Sequence, residues 1–190
     1  MDSLTTIMKR RSSCRKFSAE ALPRETIEAL INTAVWAPSG SNNQPWRFVV
    51  IFDRERLKRL SDTAKEKWLA NMEDAPFIRQ YEKWMNNPEF NIFYNAPALI
   101  VIYGDSKAHW QVYDCSMVAQ NINLLAEEQG LGCCWIGFAH NVLDEPEVKK
   151  ELGMPEEYEL VAPLIIGYPA VKREQSENPI KRKPVEINFL

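Results

Sequence analysis

Four short apolar runs, separated by helical patterns, constrain this chain more than any other feature. FVVIF lies at 48–52 between Pro45 and Asp53, and ALIVIYG covers 98–104. A third run covers 132–138 and a fourth 160–167. Each has strand length and lacks polar alternation, the pattern of a strand covered on both faces. Between them, 24–35 places Ile27, Leu30, Ile31, Ala34 and Val35 on one stripe, with Pro23 at its start and Pro38 beyond its end. Asp53 is placed to cap a helix over about 54–69. The segment 110–129 carries Val112, Cys115, Val118, Ala119, Ile122, Leu125 and Ala126 on one face and stops at Gly130. Shorter helices are expected over 3–10 and over 144–152, the latter capped by Asp144. Strands alternating with helices predict three layers, with helices covering both sides of a buried sheet.

The chain has 190 residues, which fits a single domain over 1–190. Hydrophobic residues at 45% and charged residues at 26% exclude a disordered or fibrous chain. Lys and Arg number 23 against 26 Asp and Glu, a net charge of −3, so no global basic footprint points to nucleic acid or an anionic membrane. The longest apolar run, 96–103, is far short of the ~20 residues of a membrane span. The start, MDSLTTIMKRR, has no apolar signal region, so a cytoplasmic location is expected. Cysteines at 14, 115, 133 and 134 have no metal-ligand spacing and read as buried thiols. His109 and His140 alone give little basis for a zinc site or a catalytic triad. No G-x-G-x-x-G, G-x-x-x-x-G-K-[ST] or G-x-S-x-G occurs. An enzyme with this inventory needs a bound cofactor to carry its chemistry.

Four segments carry chemical information. In RRSSCRKF (10–17), an extended backbone projects Arg11, Ser13 and Arg15 from one face, a set suited to a phosphate or to a solvated basic turn. In APSGSNNQPWRFVVI (37–51), small residues allow close approach by a flat ligand, and Asn42 and Gln44 offer amides to a heterocycle or to the local backbone. In GLGCCWIGF (130–138), Gly137 permits a ring to approach, or simply serves a turn. KRKP (181–184) is a cation cluster, for a ligand or for solvent. Residues 70–95 are aromatic and irregular, a candidate lid, and the tail ending VEINFL is long enough to add a strand to another chain's sheet.

In this order and spacing, together with NAPALIVI, DCSMVAQNINLLAEEQGLGCCWIGF and LGMPEEYELVAPLIIGYP, these segments resemble the nitroreductase family of FMN-dependent oxidoreductases. The resemblance implies an α+β, three-layer α/β/α fold with a central mixed sheet. It also implies an intertwined homodimer in which a tail of about 170–190 embraces the partner. Arg11 would meet the FMN phosphate, with Arg10 as the alternative if the register slips. Ser12 and Ser13 would serve the cofactor beside it, Ser13 at the ribityl or pyrimidine region, and Arg15 would lie near the N1/O2 edge. Pro38, Ser39, Gly40, Asn42 and Gln44 would approach the flavin, the first three from the partner subunit. Trp135, Ile136 and Gly137 would line its face, and Arg182, with Lys181 or Lys183, would add a second phosphate contact. The implied activity is ping-pong transfer from NADH or NADPH through FMN to a small electron acceptor such as a nitroaromatic or quinone. No protein acid or base is assigned. Flavin destructases, dehalogenases and azoline dehydrogenases of the same fold, and a non-catalytic flavin-binding protein, are the alternatives.

Overall fold

Two strands carry their apolar runs through the middle of the molecule, with both faces covered. They belong to a computed structural model that describes residues 2–171 and 182–190. The strands are β1 (Trp46–Ile51), β2 (Ala98–Asp105), β3 (Gly132–Trp135) and β4 (Tyr158–Gly167). They pair in the order β1-β2-β4-β3, every pair antiparallel. Val49 faces Val101, Ile100 faces Leu164, and Gly132 faces Gly167. A register shift at Ile102/Tyr103 lets β4 run on past β2's bend.

Helices α1 (Leu4–Arg10), α2 (Arg24–Ala34), α3 (Arg54–Ala70), α4 (Glu82–Met85), α5 (Gln111–Glu128), α6 (His140–Leu143) and α7 (Pro146–Glu151) complete the fold. Side chains alternate along a strand, so Ile100 and Ile102 face one layer while Leu99, Val101 and Tyr103 face the other. The first set packs with Leu30 and Ala34 of α2 and Val118 and Ile122 of α5. The second packs with Leu57, Leu60 and Ala64 of α3 and with Val142 and Leu143 of α6. This is the expected α/β/α arrangement. Each fully buried Leu or Ile contributes about 1.5–3 kcal/mol of hydrophobic stabilisation. Asp53 caps α3 as expected, its Oδ1 accepting from the Glu55 and Arg56 amides at 3.0 and 3.1 Å.

Three details differ from the sequence reading. Among the described residues the parallel component of the sheet is a single bridge, Ser13 to Cys133, not a strand pair. Asp144 does not cap α7; its Oδ1 accepts from the Leu160 amide at 3.0 Å and so ties the α6–α7 corner to β4. Val112 lies on an exposed face at the start of α5 with Tyr113 and Met117, because the sheet-facing side of those first turns is taken by Gln111, Asp114 and Cys115. The region after α3 is a 3₁₀ turn, Pro76–Tyr81, leading into the single turn of α4. No helix among the described residues is long and apolar enough to cross a membrane.

Candidate functional site

The basic segment near the N-terminus is placed by the sheet's free edge. Its backbone runs beside β3, with the Cys14 amide donating to the Cys133 carbonyl at 3.0 Å and Phe17 bridged to Pro169. Gly132 makes room for this approach. A Cβ there would lie 2.5 Å from Cys14 Sγ, and one on its register partner Gly167 would lie 2.4 Å from Pro97 Cδ. The extended backbone sends alternate residues to opposite sides. Arg15 enters one cavity, while Ser12 and Cys14 enter another.

The first cavity has a volume of about 420 Å³ and is walled by Arg15, Trp135, Ile136, Gly137, Phe138, Tyr81, Trp84 and Tyr94. The strand ends at Trp135, and the Ile136 amide donates to the Pro163 carbonyl at 2.9 Å. That bond buries Ile136 and turns Trp135 and Gly137 outward. A Cβ built on Gly137 meets nothing within 4 Å, and its backbone is not left-handed. Neither packing nor chain conformation therefore requires glycine there, and the space above it is cavity. The Arg15 guanidinium lies 5.9 Å from the centroid of the Tyr94 ring. Burial pushes the Tyr94 phenol above its ordinary value, and the charge of Arg15 opposes that shift.

The second cavity, about 530 Å³, is bordered by Arg10, Ser12, Cys14, Glu127 and Gly130–Gly132. Arg10 is held there by ion pairs with Glu127 at 2.5 Å and Asp2 at 2.6 Å. Arg11, by contrast, is half-buried and forms no ion pair with any described residue. Ser12 is thus separated from Arg15. Cys14 is half-buried rather than buried, and desolvation raises its thiol pKa, so it stays protonated at neutral pH.

The loop between α2 and β1 is conformationally unusual. Ser41, Asn42 and Gln44 have φ of 51°, 56° and 47°. Left-handed backbone at non-glycine residues costs on the order of 1–3 kcal/mol each and clusters at ligand clamps. The loop is held by Asp114 of α5, whose carboxylate accepts from the Gly40 amide at 3.1 and 3.2 Å. Ser39 Oγ accepts from the Gln44 amide at 3.0 Å, and Gln44 Nε2 donates to Asn42 Oδ1 at 3.0 Å. Asn42 and Gln44 stay exposed, as does Pro38. Gly40 is required by packing, because a Cβ would lie 2.6 Å from Trp110 Cδ1.

These residues do not all meet in one chain. The loop feeds β1 and the 420 Å³ cavity adjoins β3, the two outer strands of the sheet. Three inter-strand spacings separate them, about 14 Å. Arg182 and Lys183 are exposed at the start of the described tail and line neither cavity; Lys181 lies outside the described residues. The sequence placed Tyr81, Trp84 and Tyr94 in the aromatic candidate lid over 70–95 and Phe138 at the end of GLGCCWIGF, and the fold brings these four together as cavity walls; which aromatics of 70–95 would do so was not legible, because their spacing follows no period. Sequence reasoning missed Asp114, whose signal was an acid beside the apolar face of a helix, buried there by its bond to Gly40.

A model of the nitroreductase family matches residues 8–168. The chain belongs to the nitroreductase family. Other members resemble this nitroreductase-family chain along nearly its whole length. A protein of Archaeoglobus fulgidus, provisionally named an NADH dehydrogenase/NAD(P)H nitroreductase, is 28% identical over 193 residues, covering 99% of this chain and 98% of its own. An iodotyrosine deiodinase of Nematostella vectensis is 29% identical over 196 residues, covering 94% of this chain and 71% of its own. The solved structure of a nitroreductase with bound FMN from Desulfitobacterium hafniense superposes with a TM-score of 0.82 at 26% identity, covering 100% of this chain and 99% of that one. The fold is thus that of FMN-binding oxidoreductases of this family.

Proposed function

We propose that the chain is an FMN-dependent oxidoreductase that takes a hydride from NADH or NADPH and passes electrons to a small acceptor such as a nitroaromatic or quinone. The observation that carries this reading is the open 420 Å³ cavity in which Arg15, Trp135 and Gly137 converge. The residues present fit FMN. Gly137 leaves room for a flat ring, and Arg11 is a half-buried guanidinium without an ion pair among the described residues, as a phosphate partner should be. When bound, FMN would supply a ring able to accept a hydride and release two electrons. The chain's own work is to hold and shape. Arg11 and Ser13 would bind the phosphate and ribityl end, with Arg182 and Lys183 as further cations. Arg15 would favour negative charge at the ring's N1/O2 edge. Trp135, Ile136 and Gly137 would support one face. Ser12, on the other side of the segment, is left without a direct role.

A second copy completes this site. The loop carrying Pro38, Ser39, Gly40, Asn42 and Gln44 lies at the opposite sheet edge, so it would reach the cavity of a partner subunit. Trp36, Trp110, Val112, Tyr113 and Met117 leave apolar surface exposed near that loop, suited to such an interface. The tail supports the same arrangement. Val185, Ile187 and Phe189 alternate with polar residues and are exposed. The β3 edge is occupied by the 13–17 segment, whereas no described strand covers the outer edge of β1. The partner's tail would add there. The homodimer, a single domain over 1–190 and a cytoplasmic location remain parts of this proposal.

The test is a visible spectrum of the purified protein, followed by anaerobic addition of NADH and NADPH separately. Flavin bands that bleach with a nucleotide and return with a quinone are expected. Failure to bind added FMN would refute the cofactor assignment; flavin that no nucleotide bleaches would refute the donor. The deiodinase relative makes reductive dehalogenation the second reading, and reoxidation by 3-iodotyrosine would favour it.

A further inference from the structure

Tyr94 and Asn95 are consecutive residues with left-handed backbone, φ 53° each, and they line different cavities. Tyr94 stands in the 420 Å³ cavity. Asn95 stands in a third cavity of about 300 Å³, which shares no lining residue with the other two. Phe17, Leu57, Phe93 and Ala96 give it apolar walls, and Ser18, Arg54, Asn91 and Asn95 its polar ones. The polar groups are left with donors to spare. Asn91 Oδ1 already accepts from the Phe93 amide at 2.8 Å, so its NH₂ remains to be used. Ser18 Oγ accepts from the Glu20 amide at 3.3 Å, which leaves its O–H. The Asn95 side chain has no hydrogen-bond partner among the described residues, and the guanidinium of Arg54 has only the Ala19 carbonyl at 3.5 Å.

Arg54 stands apart from the other basic side chains of α3. Arg56 and Arg59 share Glu151, Lys58 and Lys65 share Asp62, and Lys67 meets Glu145. Arg54 has no ion pair among the described residues, no carboxylate lines its cavity, and the adjacent Asp53 is engaged by the amides of α3. One guanidinium among neutral donors matches a monoanion, and its planar fork matches a carboxylate. A cavity of 300 Å³ is roughly ten times the liquid volume of one water, far more than a bare carboxylate fills. We propose that this cavity binds a small organic acid. Arg54, Asn91 and Asn95 hold its carboxylate, and Phe17, Leu57 and Phe93 take its apolar body. The site does not rest on the flavin reading.

The experiment is calorimetric titration of the full chain, with FMN added, by hexanoate, 1-hexanol and inorganic phosphate in turn. Hexanoate should bind saturably, and the alcohol and phosphate at least about tenfold more weakly. Arg54→Gln should weaken hexanoate roughly five- to thirtyfold. Asn95→Gly keeps a residue at ease with positive φ and removes only the amide, so it should weaken hexanoate roughly two- to tenfold. Arg54 and Asn95 are exposed, so the melting temperatures of both variants without hexanoate should match the wild type. Hexanoate that does not saturate, or that binds Arg54→Gln as well as the wild type, would overturn the proposal. Phosphate binding as tightly as hexanoate would overturn the organic acid. Protein that takes up no FMN but shows the expected hexanoate pattern would refute the flavin reading and leave this site standing.

Discussion

Replacing Gly137 by alanine should separate flavin binding from folding. A Cβ at this position meets no atom within 4 Å, and the backbone is already in a conformation alanine adopts. The unfolded chain loses freedom and the folded chain gains no clash. The apoprotein should therefore gain about 0.4–1 kcal/mol. For a chain of this size that is a rise of about 1–4 °C in the melting temperature. The added methyl occupies the cavity where the ring is proposed to lie. An overpacked contact costs about 1–3 kcal/mol. FMN affinity should fall about 5- to 150-fold. Urea unfolding of the apoprotein, followed by tryptophan fluorescence at fixed protein concentration, measures the first quantity. Titration of FMN fluorescence measures the second. Gly132→Ala is the contrast: its Cβ would lie 2.5 Å from Cys14 Sγ, so it should destabilise the apoprotein itself. An alanine variant at 137 that binds FMN like the wild type would refute the placement of the ring. One that loses stability would refute the claim that the space is spare.

Four further outcomes are expected. Arg11→Ala should weaken FMN by about 1.5–3 kcal/mol without lowering apoprotein stability comparably, read by the same two assays. Asp114→Ala should cost about 1.5–3 kcal/mol in a denaturant titration, because the Gly40 amide loses a charged acceptor, and Asp114→Asn should recover most of it. Burial holds the His140 imidazole below its ordinary value of 6.5, with Asp144 opposing. The unfolded chain then takes up that proton first. This contribution is full above pH 6.5 and is lost as pH falls through the folded value, so His140→Gln should flatten the acid-side slope of stability against pH. Removing 185–190 should shift sedimentation toward the monomer and lower FMN occupancy together.

Much of the fold was legible because its signals are local. The apolar runs at 98–104 and 160–167 became β2 and β4, and the stripe at 24–35 became α2, since burial on two faces or one leaves a direct mark on residue choice. Asp53 capped α3 because a cap acts within three residues. Asp144 was misread for the complementary reason: its partner, the Leu160 amide, is sixteen residues away. The site was legible in part. RSSCR and WIG were singled out from their residue types, but the meeting of Arg15 with Trp135, Ile136 and Gly137 in one cavity, and the turning of Ser12 and Cys14 into another, depend on the Ser13–Cys133 bridge, which no periodicity announces.

The sequence by itself determined the layer order, the buried strands and the inventory of cations, amides and glycines available to a cofactor. Tertiary structure decided how they are shared out. It paired Arg10 with Glu127 and left Arg11 free of ion pairs among the described residues. It turned Ser12 away from Arg15, and it put the left-handed loop and the cavity at opposite edges of one sheet. These outcomes rest on contacts between residues far apart in the chain, whose energies are set by burial and geometry after folding rather than by any one segment's composition.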